Sequence, residues 1–424
     1  MNTTGICILT VLIAVVLSGS RKWALLGMMA GVLYLTQGEK IEIFGLQLFA
    51  IRFLEIAGFA RIIIRREFQF SNLNEIDRAF LWLYCYTTVI FLLRSTEGQL
   101  FQIGVAVDSI LCYFTFRALI TNYEDFKWFL RAFIILLVPY LVLLTIESMT
   151  NHNLFAIVGG APEGFGFRNG RPRCLGSFRN PVLLGTLGTS FLSLYIGLAF
   201  SKTDRIRAFV GIGLCLGIIW FSNSGGPVTA AAVVMVGWAV WFLRMKMRLV
   251  INSIVGLIVL LSVFMKAPVW YLPAKLTSIV GGHGWHRSYL MDIAFRNLDK
   301  WWLAGIPIVE TKDWFPYVIE VTGGADITNQ FLAFGLRAGL IAIALFILLL
   351  IRSFSSLGKE LATVRSKSAQ ISETEFMLWG LGVMVCGHIT TWLGITYFDQ
   401  MYVIWFMQLA AITSLSKICQ DSFR

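Results

Sequence analysis

The chain has 424 residues, 57% of them hydrophobic and only 14% charged, with a mean hydropathy of +0.74. Soluble domains are about half apolar and about a quarter charged, so this composition excludes a soluble multidomain enzyme, a disordered chain and a disulfide-stapled secreted domain. The formal charge of +11 would suggest nucleic acid in a soluble protein; here it points to anionic membrane lipids as partners and to no nucleic acid.

A helix needs about 20 apolar residues to cross a bilayer core. Thirteen stretches read as candidate spans, near 5–18, 24–36, 43–64, 79–93, 100–120, 126–148, 181–200, 207–222, 227–243, 250–267, 327–351, 375–393 and 399–416. The fold class predicted is therefore all-α: a polytopic membrane bundle of about 12–13 transmembrane helices forming a single domain over 1–424. The first run has no basic residue before it and is followed by Arg21 and Lys22, the pattern of an N-out helix and not of a cleavable signal.

With the N-terminus outside, strict alternation puts twenty of the 35 Lys and Arg on inside segments and the C-terminus inside. The short outside loops hold only Lys40 and Arg94, a strong positive-inside bias. Two long outside loops, 149–180 and 268–326, break the rule. Long connections are usually functional, and these carry Arg168, Arg171, Arg173 and Arg179 in the first and Lys275, Arg287, Arg296, Lys300 and Lys312 in the second.

The first loop reads Gly164-Phe-Gly-Phe-Arg-Asn-Gly-Arg-Pro-Arg-Cys-Leu-Gly-Ser-Phe-Arg-Asn-Pro181. Its glycines let backbone N–H groups approach an anion, and Arg171, Arg173 and Arg179 can grip phosphate oxygens in bidentate fashion. Pro181 suits the first turn of the next helix, whose N-terminus would face the same anion. Binding a lipid headgroup as a mere anchor is the competing reading. Of the seven cysteines, none forms a CxxC pair; Cys174 lies in this loop without an obvious disulfide partner, and Cys85, Cys112, Cys215 and Cys386 fall inside spans as small core residues.

In the second loop the stretch from Trp285 onward fits a helix with an apolar stripe of Leu290, Met291, Ala294, Leu298 and Trp301. Asp292 and Arg296 form a favourable i,i+4 pair on the other side. Tyr289 and the tryptophans suit a helix at the outer membrane interface. Arg287 sits within the stripe, where a guanidinium must snorkel or meet a buried anion. His283 and His286 beside it lack a third ligand for a metal; loop hydrogen bonding and general-base chemistry are both open to them.

Asp326-Ile-Thr-Asn329 then opens the next span. Asp326 reads either as a helix N-cap or as a base acting on a sugar hydroxyl at the outer surface. Arg337 would lie roughly 15 Å deeper along that helix at 1.5 Å per residue. Arg52, Glu55 and Asp108 fall inside spans, with Arg52 and Glu55 reading as a mutually neutralising pair, and His388 as a satisfied core histidine. No P-loop, strand-to-helix glycine turn or DxD-like motif is present, so no metal and no cofactor is expected, and the energy must come from an activated substrate already in the membrane.

These pieces, in this order, resemble the O-antigen ligase and O-antigen/exopolysaccharide polymerase superfamily. The matching stretches are Arg171-Pro-Arg-Cys-Leu-Gly-Ser-Phe-Arg-Asn-Pro181; Ser222-Asn-Ser-Gly-Gly-Pro227; Trp285-His-Arg287 with Asp292 and Trp301-Trp-Leu-Ala-Gly305; and Asp326-Ile-Thr-Asn329 before Gly335-Leu-Arg-Ala-Gly339. The resemblance implies a GT-C class glycosyltransferase of the bacterial inner membrane, with its active site facing the periplasm. Such an enzyme moves a glycan from undecaprenyl diphosphate to an acceptor without metal or nucleotide sugar. It also implies that Arg171, Arg173, Arg179 and Arg287 hold the diphosphate. Arg168, Asn329 and Arg337 are secondary candidates, and the base stays open among Asp326, His286 and His283. Ligases typically carry His where Thr328 stands and often Arg where Gly225 follows Ser224, so a polymerase extending a lipid-linked glycan is favoured. The alternatives are a ligase to a lipid or protein acceptor, a lipid-linked oligosaccharide flippase using Arg52, Glu55, Asp108 and Arg337, and a scaffold among polysaccharide assembly and export partners.

Overall fold

The computed structural model describes residues 2–36, 38, 40–43, 46–163, 166–272, 284–314, 318–319, 323–367 and 371–415. Helices make up 77% of the structure, and the described strands form three short antiparallel hairpins. Every apolar stretch has a helix at its place: α1 (Thr3–Ser18), α2 (Arg21–Tyr34), α3 (Ala50–Ile64), α4 (Glu75–Arg94), α5 (Gln99–Leu119), α6 (Tyr123–Thr150), α7 (Pro181–Leu198), α8 (Arg205–Ser222), α9 (Gly225–Ala239) and α10 (Met247–Phe264). Then come α11 (Trp285–Arg296), the single turn α12 (Leu298–Trp301), α13 (Gln330–Lys367), α14 (Glu373–Trp392) and α15 (Met401–Leu415). Among the described residues, seven helical segments are long and apolar enough to cross a membrane, with α9 and α10 counted as one; α1 and α15 are shorter apolar helices.

Helix starts follow local chemistry. Asn74 and Asp77 form a reciprocal capping box on α4, Asn122 accepts from the Asp125 N–H, and Asn180 accepts from the Val182 N–H with Pro181 in the first turn of α7. One span starts later than its hydropathy predicts. Lys40–Ile43 (β1) and Leu46–Phe49 (β2) pair as an antiparallel hairpin, and helix begins only at Ala50. The alternating Lys-Ile-Glu-Ile and Leu-Gln-Leu residues have the strand period of two, which an averaging hydropathy window conceals.

The core is built around α7, whose span is 89% buried among α8, α9 and α14. A Cβ at Gly185 would lie 2.5 Å from Pro227, and one at Gly188 2.6 Å from the Cys215 carbonyl, so small residues set these helix spacings. By contrast, α10 has no buried residue.

Charges at one end of the bundle are neutralised in pairs. Arg117 meets Asp77 at 3.3 Å, Arg352 meets Glu75 at 2.9 Å, Lys127 meets Glu373 at 2.7 Å and Arg365 meets Glu375 at 2.6 Å. These are the segments that alternation assigns to a single side. Within the bundle, Arg52 grips both oxygens of Asp108 at 2.6 Å, and Glu55 takes a hydrogen bond from Tyr402 at 2.8 Å. The expected Arg52–Glu55 pair is thus replaced by a bidentate bond between α3 and α5. His388 contacts Tyr397 at 2.5 Å and Gln408 at 2.6 Å and is a satisfied core histidine.

The other end holds the described parts of the two long loops, the second joined to the bundle at a break in α13. Ala338 (φ −152°) and Gly339 (φ +78°, ψ −173°) leave the helical region, so Arg337 ends a short half-helix and does not continue a straight rod. The backbone groups freed there are not orphaned: Ile306 N–H donates to the Leu336 carbonyl at 2.9 Å, and Leu340 N–H to the Trp302 carbonyl at 2.7 Å. Such satisfaction is what makes irregular backbone tolerable inside a membrane bundle. Leu290, Ala294, Trp301, Ile306, Trp314, Leu332 and Leu336 pack into a small satellite core beneath the second loop, which bears out the apolar stripe of α11.

Candidate active site

The first loop presents its arginines on a hairpin. Phe167–Arg168 (β3) and Arg171–Pro172 (β4) pair antiparallel, with Arg168 directly opposite Arg171. The turn residues Asn169 (φ +52°) and Gly170 (φ +72°) are both left-handed, the backbone that Asn-Gly adopts most readily in two-residue hairpins. Asn223, itself left-handed between α8 and α9, donates from Nδ2 to the carbonyls of Arg168 at 3.0 Å and Arg171 at 3.2 Å. The Ser222–Pro227 stretch is therefore a bracket for the hairpin. Ser224 Oγ next to it accepts from Arg173 Nη2 at 3.1 Å.

Three segments converge beside this bracket. The hairpin brings Arg168 and Arg173, α11 brings Arg287, and the lead into α13 brings Asp326. Arg287 lies flat on the turn after α14: a Cβ at Gly394 would stand 3.2 Å from its Cζ. Burial, then the charges of Arg168 and Arg173, hold the Arg287 guanidinium below its usual value, and Asp326 pulls the other way. Burial and Arg168 act on Arg173 in the same sense. Among the described residues, the Nε atoms of Arg287 and Arg173 are buried without a hydrogen-bond partner. Arg287 thus feels two neighbouring guanidinium groups and one carboxylate among the described residues in a partly desolvated place, an arrangement suited to receiving an anion.

Asp326 is exposed to solvent on the lead into α13, with protein crowded close enough to act on its carboxyl. Burial raises its carboxyl above the usual aspartate value, with Arg287 opposing. It is not the helix cap. Asn329 holds that place, its Oδ1 accepting from Phe331 N at 2.9 Å and Leu332 N at 3.1 Å. The segment is fastened by the Thr396 hydroxyl, which donates to the Ile327 carbonyl, and by Gln330, which accepts from Tyr397 N at 2.8 Å.

The remaining sequence candidates lie elsewhere or serve other contacts. Arg171 stacks over Trp220, 3.8 Å from the ring centroid. Arg179 engages the buried Asp399 through Nε at 2.7 Å and through Nη2. His286 is half-buried in the first turn of α11, and His283 falls outside the described residues. Arg337 neighbours Tyr84 of α4 and is not among the charges that act on Arg287. Asp292 and Arg296 pair at 2.7 Å. Cys174 is buried, and burial pushes its thiol up to about 12, so it is no nucleophile at neutral pH.

The Arg179–Asp399 pair has a checkable consequence. Arg179→Ala leaves a buried carboxylate without its cation and should destabilise the fold by about 1–3 kcal/mol, toward the low end because Arg179 is half-exposed. Thermal unfolding in detergent checks this, and adding Asp399→Asn should recover part of the loss.

Sequence reading passed over the Asn169-Gly170 turn and the acceptor role of Asp399. The first was legible as a hairpin dipeptide; the second joins residues 220 positions apart, and no local pattern marks it. A scan of protein-family models finds no match to this chain, and no curated protein is significantly similar to it in sequence.

Proposed function

We propose that this chain is a membrane glycosyltransferase that takes a glycan from undecaprenyl diphosphate and adds it to a growing lipid-linked glycan, as a polysaccharide polymerase of the O-antigen ligase/polymerase superfamily does. The observation that carries this reading is the convergence of Arg168 and Arg173 on the partly buried Arg287, with Asp326 opposing them. Displacing a lipid diphosphate from an anomeric carbon develops charge on the leaving oxygens, and preplaced guanidinium groups stabilise that charge without reorganising. Asp326 stands at the open rim of the same cluster, in reach of a second substrate, and takes the proton of the acceptor hydroxyl. Direct displacement inverts the anomeric configuration.

The intramembrane charges favour this over a flippase. Arg52 and Asp108 satisfy one another, and Glu55 is bonded through one oxygen to Tyr402, contacts that knit helices together. Purified protein given lipid-linked repeat units in detergent tests the proposal. Longer glycans support it, transfer to a different acceptor points to a ligase, and relocation in vesicles without elongation points to a flippase.

The pH dependence separates the bases. A base must be deprotonated, so the rate falls on the acid side as Asp326 gains its proton, and because burial raises that carboxyl, the fall begins at higher pH than for a free aspartate. The same shift makes the fold bind more protons than the unfolded chain, so this group costs stability as pH rises past the ordinary aspartate value. Asp326→Asn should remove the acid limb along with most of the rate. An unchanged limb in that variant moves the role to His286.

A further inference from the structure

Beneath the hairpin, at the end of α6, stands a carboxylate that the chemistry above does not use. Glu147 is fully buried. Its Oε1 accepts the Leu175 N–H at 2.7 Å and its Oε2 accepts the Gly176 N–H at 3.0 Å. No Lys or Arg pairs with it among the described residues. A carboxylate buried away from any cation is costly unless hydrogen-bonded, and two backbone N–H groups aimed at its two oxygens offset that cost.

The segment it holds is tied at several other points. Gly176 has φ +56°, and a Cβ there would fall 2.5 Å from the Tyr140 hydroxyl. Asn153 Nδ2 donates to the Gly176 carbonyl at 3.0 Å, and Tyr140 Oη accepts from the Ser177 N–H at 3.3 Å. One residue upstream, Cys174 N–H bonds the Phe221 carbonyl at 3.0 Å. Arg173 leaves the chain where this fixed stretch begins.

We propose that Glu147 is a positioning residue for Arg173. By fixing the backbone at 175–176, it holds the preceding arginine against Ser224 and inside the cluster with Arg168 and Arg287. This rests on the diphosphate reading of that cluster. A carboxylate is required because both bonds need acceptors; glutamine would turn an NH₂ group toward one of the two N–H groups.

The test uses the full chain in detergent with two readouts, amide hydrogen exchange at 174–177 and binding of inorganic pyrophosphate. Glu147→Gln should speed exchange at Leu175 and Gly176 about tenfold or more and raise the pyrophosphate Kd about tenfold. In an Arg173→Ala background the same change should add nothing to the Kd, because the effect passes through that side chain. Glu147→Asp, still acceptor-only but one methylene shorter, should fall between wild type and Glu147→Gln on both readouts, and it serves in place of Glu147→Gln if that variant does not fold. Unchanged exchange overturns the clamp. Faster exchange with unchanged affinity, or an equal loss with and without Arg173, overturns the link to the anion. A wild-type protein that leaves pyrophosphate unbound overturns the diphosphate reading and this link with it, while the exchange arm still judges the clamp.

Discussion

Arg287→Ala is expected to stop glycan chain growth while leaving the protein folded and inserted. Removing one preorganised group that stabilises developing charge typically costs about 10²–10³ in rate, and Arg287 is the partly buried arginine held against the turn at Gly394. The stability side of this prediction has the opposite sign from that of an ordinary buried-charge deletion. Arg168 and Arg173 both disfavour the Arg287 cation and Asp326 favours it, so deleting it relieves repulsion between neighbouring guanidinium groups at the loss of one attraction. The apo variant should melt no lower than wild type, whereas the extra stability conferred by pyrophosphate should be lost. Thermal melts with and without pyrophosphate, beside product-length gels, measure both halves. Normal polymer length in the variant would sink the assignment of Arg287.

The second large effect belongs to the break in α13. Gly305 (φ +73°) and Gly339 (φ +78°) each lie against backbone: a Cβ at Gly305 would collide with the Leu336 carbonyl and one at Gly339 with the Leu303 carbonyl. Neither neighbour can swing aside as a side-chain tip would. Each alanine substitution combines a backbone strain of about 1–3 kcal/mol with loss of the hydrogen bonds that seal the break, so Gly305→Ala and Gly339→Ala should each destabilise by about 3–5 kcal/mol. Gly213, with nothing within 4 Å of its would-be Cβ, is the matched control, and Gly213→Ala should be neutral or mildly stabilising. Melting temperatures in detergent decide it. Equal behaviour of the three variants would mean that the docked loop contributes nothing to the fold.

The helices were legible because their apolar runs are long and bilayer physics allows few alternatives. Where sequence reading slipped, a shorter-range signal or a distant partner was at work. The strand alternation before Ala50 was averaged into a span. Asp326 and Asn329 are both good capping types, and only the geometry shows Asn329 accepting the two N–H groups, which frees Asp326. Among the arginines, residue type and loop membership could not separate those that face one another from Arg179, because Asp399 arrives from the far end of the chain. The two glycine motifs Trp301-Trp-Leu-Ala-Gly305 and Gly335-Leu-Arg-Ala-Gly339 were visible as motifs, but their joint purpose, one threaded into the break of the other, is a property of the assembled backbone.

The solitary helix α10 has its own consequence. None of its 18 residues is fully buried; Met247 at its start packs against the core, and 251–260 are exposed throughout, so over that stretch the described chain constrains side-chain identity little. Its sequence is held to a length and an average apolarity and to little else, so many different apolar strings would serve equally well. The information content of the chain is therefore uneven. It is dense in α7, where even a methyl group is excluded at Gly185 and Gly188, and nearly absent across the helix that leads from the neutralised end of the bundle back toward Arg287.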